Sequence, residues 1–330
     1  MKTFRAIILN KDNNQVVPSI QDLPRDSLPE GDVLVKVAYS SLNYKDGLAV
    51  SGSFGVVRSY PMIPGVDLAG TVEESSSPDY QPGDQVVMTG CGAGDFHWGG
   101  YAQLARLKAE WLVPLPSGIT CQQAMGVGTA GFTAMLSVMT LEKHGLKLNP
   151  REILVTGAAG GVGSVAVAIL SKLGYRVVAS TGRAETYDYL RALGAYDIID
   201  RSALSEPSKK PLDSERWGGA IDSVGGQTLA SVLRQLVYGA SVTACGLVGG
   251  VEIPTTVLPF ILRGVSLLGI DAVQSKPETR RAVWSRIARD LPMSLIDSMS
   301  QVATLEDVIL LTPKILQGQV RGRTVIDVNR

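Results

Sequence analysis

Between residues 33 and 38 the chain alternates, with Val33, Val35 and Val37 on one parity and Leu34, Lys36 and Ala38 on the other. A period of two predicts a strand whose faces meet different surroundings. Glycine and proline then punctuate the chain at Pro61–Gly65, Gln81–Asp84 and Val113–Pro116, so the first third reads as short strands joined by irregular loops. The pattern changes at Thr120. Thr120 and Gln123 have capping-box spacing, in which each side chain satisfies an orphan backbone N–H at a helix start. Phe132, Met135, Leu136 and Met139 recur at helical intervals and predict an amphipathic helix over 131–144.

From Glu152 onward strand and helix patterns take turns. The predicted strands are Ile153–Thr156, Arg176–Ser180, Asp197–Asp200, Ala220–Asp222, Ser241–Cys245 and Val265–Ile270. Most are apolar runs without alternation, as expected where helices cover both faces of a parallel sheet. A helix over Thr279–Asp290, another near Leu305 and a last strand over Arg323–Val328 follow. That last strand suggests that the chain returns to complete its first domain.

Composition narrows the function classes. A chain of 330 residues with 45% hydrophobic and 19% charged positions suffices for about two globular domains. Lys plus Arg (31) balance Asp plus Glu (31), which argues against binding nucleic acid through bulk charge. The three cysteines, Cys91, Cys121 and Cys245, are scattered and odd in number, so reduced thiols in a cytoplasmic protein are expected. The apolar piece Ala6–Leu9 is too short for a secretory signal. Ile153–Leu170 is uncharged and long enough for a minimal membrane span, but it contains Gly157, Gly160, Gly161 and Gly163; no membrane role is expected.

That glycine cluster is the sharpest local signal. A strand ends at Gly157, and a helix begins near Gly161 with Val162, Val165, Ala166, Ile169 and Leu173 on one face. Gly160 would let the main chain approach a pyrophosphate, Gly163 would let helix and strand pack closely, and the N–H groups of Ala159, Gly160, Gly161 and Val162 lie at the helix N-terminus. The motif departs from a strict G-x-G-x-x-G, and a tight turn without ligand is the alternative. At the tip of the next strand stand Ser180, Thr181, Gly182 and Arg183, with no carboxylate for the ribose hydroxyls of NAD. Two hydroxyls and a guanidinium there favour a 2′-phosphate, hence NADPH; an ordinary surface arginine is the bland alternative.

The chain has two histidines, His97 and His144, and no His or Cys cluster with ligand spacing. His97 and Cys91 share a glycine-rich loop without a third partner, whereas a catalytic zinc needs three ligands. Nucleophile elbow and P-loop are both absent from the sequence. The chemistry is therefore expected from a cofactor that the protein orients.

Ser41–Asp46 (SLNYKD), Pro64–Gly70 (PGVDLAG), Gly128–Ala134 (GTAGFTA) and Gly157–Gly163 together resemble the medium-chain dehydrogenase/reductase superfamily, in its zinc-free quinone oxidoreductase group. His97–Gly100, Pro254–Arg263 and Gly318–Arg323 resemble its acryloyl-CoA reductase branch. The resemblance implies an α/β protein: a GroES-like β-rich catalytic domain from residues 1–120 and 268–330, plus a Rossmann doubly wound parallel-sheet domain over 121–267. Zinc-dependent relatives have a Cys where this chain has Asn43, and a His–Glu pair where it has Val66 and Asp67, so no metal is expected.

The resemblance further places Asn43, Tyr44 and Thr129 near the nicotinamide. Ser180, Arg183, Arg201 and Arg323 would point toward the adenosine phosphate or neighbouring cofactor groups, and Leu247 and Ile270 would add main-chain contacts. For Arg201 and Arg323 a surface cation fits the charge placement equally well. The implied reaction is NADPH-dependent reduction of an activated C=C bond, acryloyl-CoA to propionyl-CoA, with Asn43 and Tyr44 as hydrogen-bonding or acid groups. Tyr44 could instead only pack against the cofactor. An enone or quinone reductase, or an NADPH-binding protein without turnover, stays open. Family likeness implies a homodimer, for which apolar Val251–Ile270 offers a surface.

Overall fold

The computed structural model describes residues 2–148, 150–208 and 210–330. In chain order the strands are β1 (Thr3–Asp12), β2 (Gln15–Pro24), β3 (Val33–Leu42), β4 (Asp67–Ser75), β5 (Gln85–Thr89), β6 (Leu104–Leu107) and β7 (Val113–Pro114). Next come β8 (Glu152–Val155), β9 (Arg176–Thr181), β10 (Asp197–Asp200), β11 (Trp217–Asp222), β12 (Ser241–Ala244) and β13 (Ser266–Gly269), then β14 (Ser300–Thr304) and β15 (Arg323–Asp327). Two compact units share the chain. The first runs to Phe132 and resumes over Ala272–Ala288 and Pro292–Arg330; the second holds Thr133–Asp271 and Arg289–Leu291. We propose domain limits near these divisions, later than 120 and 268. The helix α2 (Cys121–Lys143) begins in the first unit, where its early turns pack, and ends in the second.

In the first unit, β14-β15-β3-β4-β5-β7 form one sheet, with β6 also pairing β3; β1 and β2 make a separate hairpin. Strand β15 lies antiparallel to β3, Thr324 opposite Leu42 and Val325 opposite Ser41, so the last strand of the chain lies against the end of β3. The alternation in β3 holds, yet both faces are apolar and covered. Val33, Val35 and Val37 enter the main core with Leu68 and Val86, while Leu34 joins a second cluster with Phe4, Ala6, Ile63, Ala102 and Leu104. Only Lys36 on that parity is exposed.

The second unit is a six-stranded parallel sheet in the order β10-β9-β8-β11-β12-β13. This is the doubly wound order, which reverses between β8 and β11, where such sheets bind ligands beyond their strand ends. Leu154, Val178, Ala220 and Val242 from four of the strands are fully buried with Leu229, Val232 and Leu233 of the helix Gly226–Gln235. All six expected strands are present.

Several elements differ from the sequence reading, among them a helix over Tyr44–Ser51 in the strand-rich first third. The long helix starts at Cys121, directly after the Thr120–Gln123 capping box, whose two reciprocal bonds are both made at 3.1 Å. It is broken at Gly128 (φ 53°, ψ −164°). By length and composition this helix, among the described residues, could cross a membrane, but 78% of its apolar window is buried inside the protein. Ile153–Leu170, the stretch that length alone flags, divides into β8, a turn and the helix α3 (Gly161–Lys172). The helix Met293–Met299 and strand β14 have weak periodicity and are not expected from the sequence.

Candidate active site

The glycine turn of the second unit is built as its spacing requires. Gly157 has φ 58°, and a side chain at Gly163 would lie 2.4 Å from the Gly157 carbonyl oxygen and 2.6 Å from Ala158 Cα. Gly163 therefore lets α3 lie against the turn. Gly160 is the helix N-cap, and no side chain caps the helix, so the first-turn N–H groups have no side-chain acceptor there. The N–H of Ala158 donates to the Ser180 carbonyl at 3.1 Å, which ties the turn to the end of β9.

At that end the two hydroxyls lie within the loop instead of on its surface. Ser180 and Thr181 are buried, and Thr181 Oγ1 accepts from the Arg183 N–H at 3.3 Å. The Arg183 guanidinium reaches back to the turn, donating to the Ala159 carbonyl at 3.3 Å. Arg201 folds over Gly182, where an added Cβ would lie 2.5 Å from its Cδ and Nε. Two guanidinium groups thus flank the tip of β9, and the tip itself, Ser180 to Arg183, carries no carboxylate. An uncapped helix N-terminus beside them fits a phosphorylated dinucleotide.

A clamp at the strand reversal carries no motif that sequence reasoning singles out. Thr156 Oγ1 donates to Asp222 at 2.6 Å, and Asp222 also accepts the Gly225 N–H at 2.7 Å. Ser223 Oγ donates to the Thr156 carbonyl at 2.9 Å. Burial pushes the Asp222 carboxyl up, partly offset by the Thr156 and Gly225 bonds. The usable signal is a carboxylate ending an apolar strand. Leu247 lies exposed in the loop after β12, and its carbonyl accepts the Gly250 N–H at 3.0 Å. The Ile270 N–H donates to the Ala244 carbonyl at 3.0 Å, extending β13 pairing by one residue.

The first unit brings its candidate residues into one buried polar cluster. Asp67, fully buried at the start of β4, accepts from Ser41 Oγ (2.5 Å), Asn43 Nδ2 (2.8 Å) and the Thr129 N–H (2.8 Å), and its second oxygen accepts from Thr129 Oγ1. Arg323, 2% exposed, donates to the Gly126 carbonyl (2.7 Å), Ser41 Oγ (3.1 Å) and Asn43 Oδ1 (3.3 Å). The cofactor-facing expectation for Arg323 thus meets a guanidinium engaged inside its own unit. Asn43 caps the helix α1 (Tyr44–Ser51), and its backbone N–H donates to Asp46 at 2.9 Å. Asp46 also accepts the Val66 N–H at 2.9 Å. Burial, then the neighbouring Asp67, raises the Asp46 carboxyl to about 7.

Asn43 therefore has Asp67, Asp46 and Ser41 as acceptors for its amide N–H groups and Arg323 as donor to its oxygen. Tyr44, the first residue of α1, is half-buried, and its hydroxyl makes no hydrogen bond to the described residues. Ser41, Asp46 and Asp67 lie inside the strings quoted for the family but were not expected as site residues. The visible signal is polar and charged residues embedded in apolar stretches. His97 and Cys91 point to separate partners: His97 contacts the Trp98 and Glu30 carbonyls, and the Cys91 thiol donates toward the Thr89 carbonyl. Among the described residues no group of three or more His, Cys, Asp or Glu could hold a metal ion.

Comparison with known proteins matches the family model "Alcohol dehydrogenase GroES-like domain" to residues 29–117 and "Zinc-binding dehydrogenase" to residues 161–289. The chain is similar to acrylyl-CoA reductase AcuI of Ruegeria pomeroyi, 55% identical over 99% of each chain. It is 46% identical to "Putative quinone oxidoreductase YhfP" of Bacillus subtilis over 98% of each. The crystal structure of Escherichia coli YhdH with bound NADPH superposes with a TM-score of 0.96 at 48% identity, covering 98% of this chain and 100% of that one. YhfP with NAD bound gives 0.95, covering 99% and 100%.

Proposed function

We propose a function from one premise: this chain belongs to the medium-chain dehydrogenase/reductase superfamily, alongside acrylyl-CoA reductase AcuI. It is an NADPH-dependent oxidoreductase that reduces the activated C=C bond of acryloyl-CoA to propionyl-CoA. The observation carrying this reading is the 55% identity to AcuI along 99% of both chains. NADPH, when bound, supplies a hydride to the β-carbon of the unsaturated thioester.

The chain's own residues do the rest. The N–H groups of Ala159, Gly160, Gly161 and Val162 take the pyrophosphate, and Arg183 with Arg201 takes the 2′-phosphate. The buried Ser180 and Thr181 hydroxyls and Gly182 shape the loop that presents Arg183, and Leu247 and Ile270 offer main-chain contacts. Asn43 and Thr129 set the walls around the nicotinamide. As negative charge develops on the thioester oxygen, a preorganised donor is needed. Tyr44 supplies it, because its hydroxyl is uncommitted where the Asn43 amide is not; the same hydroxyl or a water delivers the proton to the α-carbon. Asn43, Val66 and Asp67 stand where zinc-dependent relatives hold ligands, and the hydrogen bonding of Asn43 and Asp67 to one another supports a reaction without metal.

NADPH and NADH oxidation measured against acryloyl-CoA, simple enones and quinones tests this. Turnover of acryloyl-CoA at least tenfold above quinones supports it, and the reverse order favours the quinone reductase reading that the YhfP name suggests. Tyr44→Phe is expected to cut turnover while sparing NADPH affinity; unchanged turnover removes Tyr44 from the chemistry. The enzyme works in the cytoplasm, a setting that suits its three free thiols. It works as a homodimer: β13 is a sheet edge, and Val248, Val251, Val257, Ile261 and Leu262 near it are exposed apolar residues. Val257→Asp with Ile261→Asp should give a monomer by light scattering.

A further inference from the structure

The break in α2 is held open by two opposite charges, and that arrangement has a consequence for the reaction. Breaking a helix orphans carbonyls at the end of its first half and N–H groups at the start of its second. Arg323 donates to the orphaned Gly126 carbonyl at 2.7 Å and reaches the Met125 carbonyl at 3.5 Å, a cation at a helical C-terminus. Asp67 accepts the N–H of Thr129, the first residue after the break, an anion at a helical N-terminus. Ser41 lies between the two, donating to Asp67 while accepting from Arg323. Gly128 must be glycine here. Its φ is 53°, and a Cβ would lie 2.5 Å from Arg323 Nη2, 2.7 Å from Asp67 Oδ2 and 2.8 Å from Ser41 Oγ.

We infer that Asp67 is a positioning residue for the reduction, fixing Asn43 and Thr129 relative to one another, with Arg323 as its buried counter-charge; this rests on the reading above that both residues wall the nicotinamide. The Asp67 carboxylate takes four donors from two chain segments: Ser41, Asn43 and the Thr129 N–H meet Oδ2, and the Thr129 hydroxyl meets Oδ1. No neutral side chain of this size accepts four bonds at once. Losing it would remove both bonds through which Asp67 ties Thr129 to the Ser41–Asn43 segment. A displacement of about 1 Å at a group contacting the reacting ring suffices to slow a reaction a hundredfold.

The test compares Asp67→Ala and Asp67→Asn in the full-length chain with NADPH, and reads three quantities. They are the emission of bound NADPH, the turnover number, and the isotope effect from NADPH deuterated at the transferred position. Asp67→Ala should keep NADPH affinity within threefold, shift the bound emission, lower turnover at least thirtyfold and raise the isotope effect. Asp67→Asn should recover at least tenfold of that loss, since its oxygen can face the three donors of Oδ2 while its NH2 meets Thr129 Oγ1. Should Asp67→Ala not fold, Thr129→Val removes one contact and should move the same readouts less. The inference is overturned if turnover stays within threefold. It is equally overturned if turnover falls with isotope effect and bound emission unchanged, which is the signature of fewer folded molecules. Bound emission needs no substrate. A wild-type protein inert toward every acceptor would sink the functional reading while leaving this one decided by the emission.

Discussion

In the second unit, the candidate ligand groups are mostly main-chain N–H groups at a glycine turn, assisted by one half-buried and one exposed guanidinium. In the first unit they are side chains packed in a buried cluster of carboxylates, a guanidinium, amide and hydroxyls. The difference teaches where each is vulnerable. A main-chain site tolerates changes of charge and pH, but not added volume. A buried side-chain site tolerates neither the loss of one partner nor a misplaced proton, because each buried polar group costs about 1–3 kcal/mol when left unpaired.

The sharpest contrast is in pH. Burial and the neighbouring Asp67 raise the Asp46 carboxyl from 3.8 to about 7; the Tyr101 hydroxyl and the Asn43 and Val66 N–H groups also face it. A raised folded value means the fold favours the protonated form. Its stabilisation is whole below pH 3.8 and is lost as pH rises to about 7. Such a shift is worth about 4 kcal/mol. Denaturant midpoints of wild type and Asp46→Asn should therefore diverge between pH 4 and 7, the wild type losing ground. Parallel profiles would dissolve the contrast.

Volume is the lever on the other side. Gly163→Ala sets a methyl against two main-chain atoms that cannot move aside, and should cost about 3 kcal/mol with loss of NADPH binding. Binding within threefold of wild type by calorimetry would show that the turn has slack. Arg183→Ala should be milder, weakening NADPH by about 2 kcal/mol, roughly thirtyfold, with NADH unchanged. Equal weakening of both would take Arg183 off the 2′-phosphate. Thr120→Ala removes a local helix cap from neither network. It should cost about 1 kcal/mol in thermal unfolding without altering either the pH profile or cofactor affinity.

The turn is legible in the sequence and the cluster is not, for a reason of distance. Gly157, Gly160 and Gly163 act within one strand–turn–helix passage, so spacing alone shows the turn. The hydroxyls of Ser180 and Thr181 are visible as residue types, but their burial depends on how the loop folds back on Thr186. Asp67 reads as an ordinary strand residue and Arg323 as a cofactor contact or a surface cation, because the serine joined to Arg323 lies 282 positions away in the chain. Gly128 lies between the Thr120 helix start and the helical pattern from residue 131, and spacing gives no hint that one helix spans both and breaks there.

What the sequence determined alone is therefore local: the parallel strands from their unbroken apolar runs, the helix start from Thr120 and Gln123, and the strand–turn–helix passage from its glycines. Periodicity and backbone freedom act between neighbours and need no partner from afar. Tertiary structure decided which charges are buried and with whom. It closed β15 against β3, brought Arg323 to Ser41 and Asn43, and turned a helix break into a held site. Electrostatics among buried groups depends on who arrives beside them, and only the folded chain settles that.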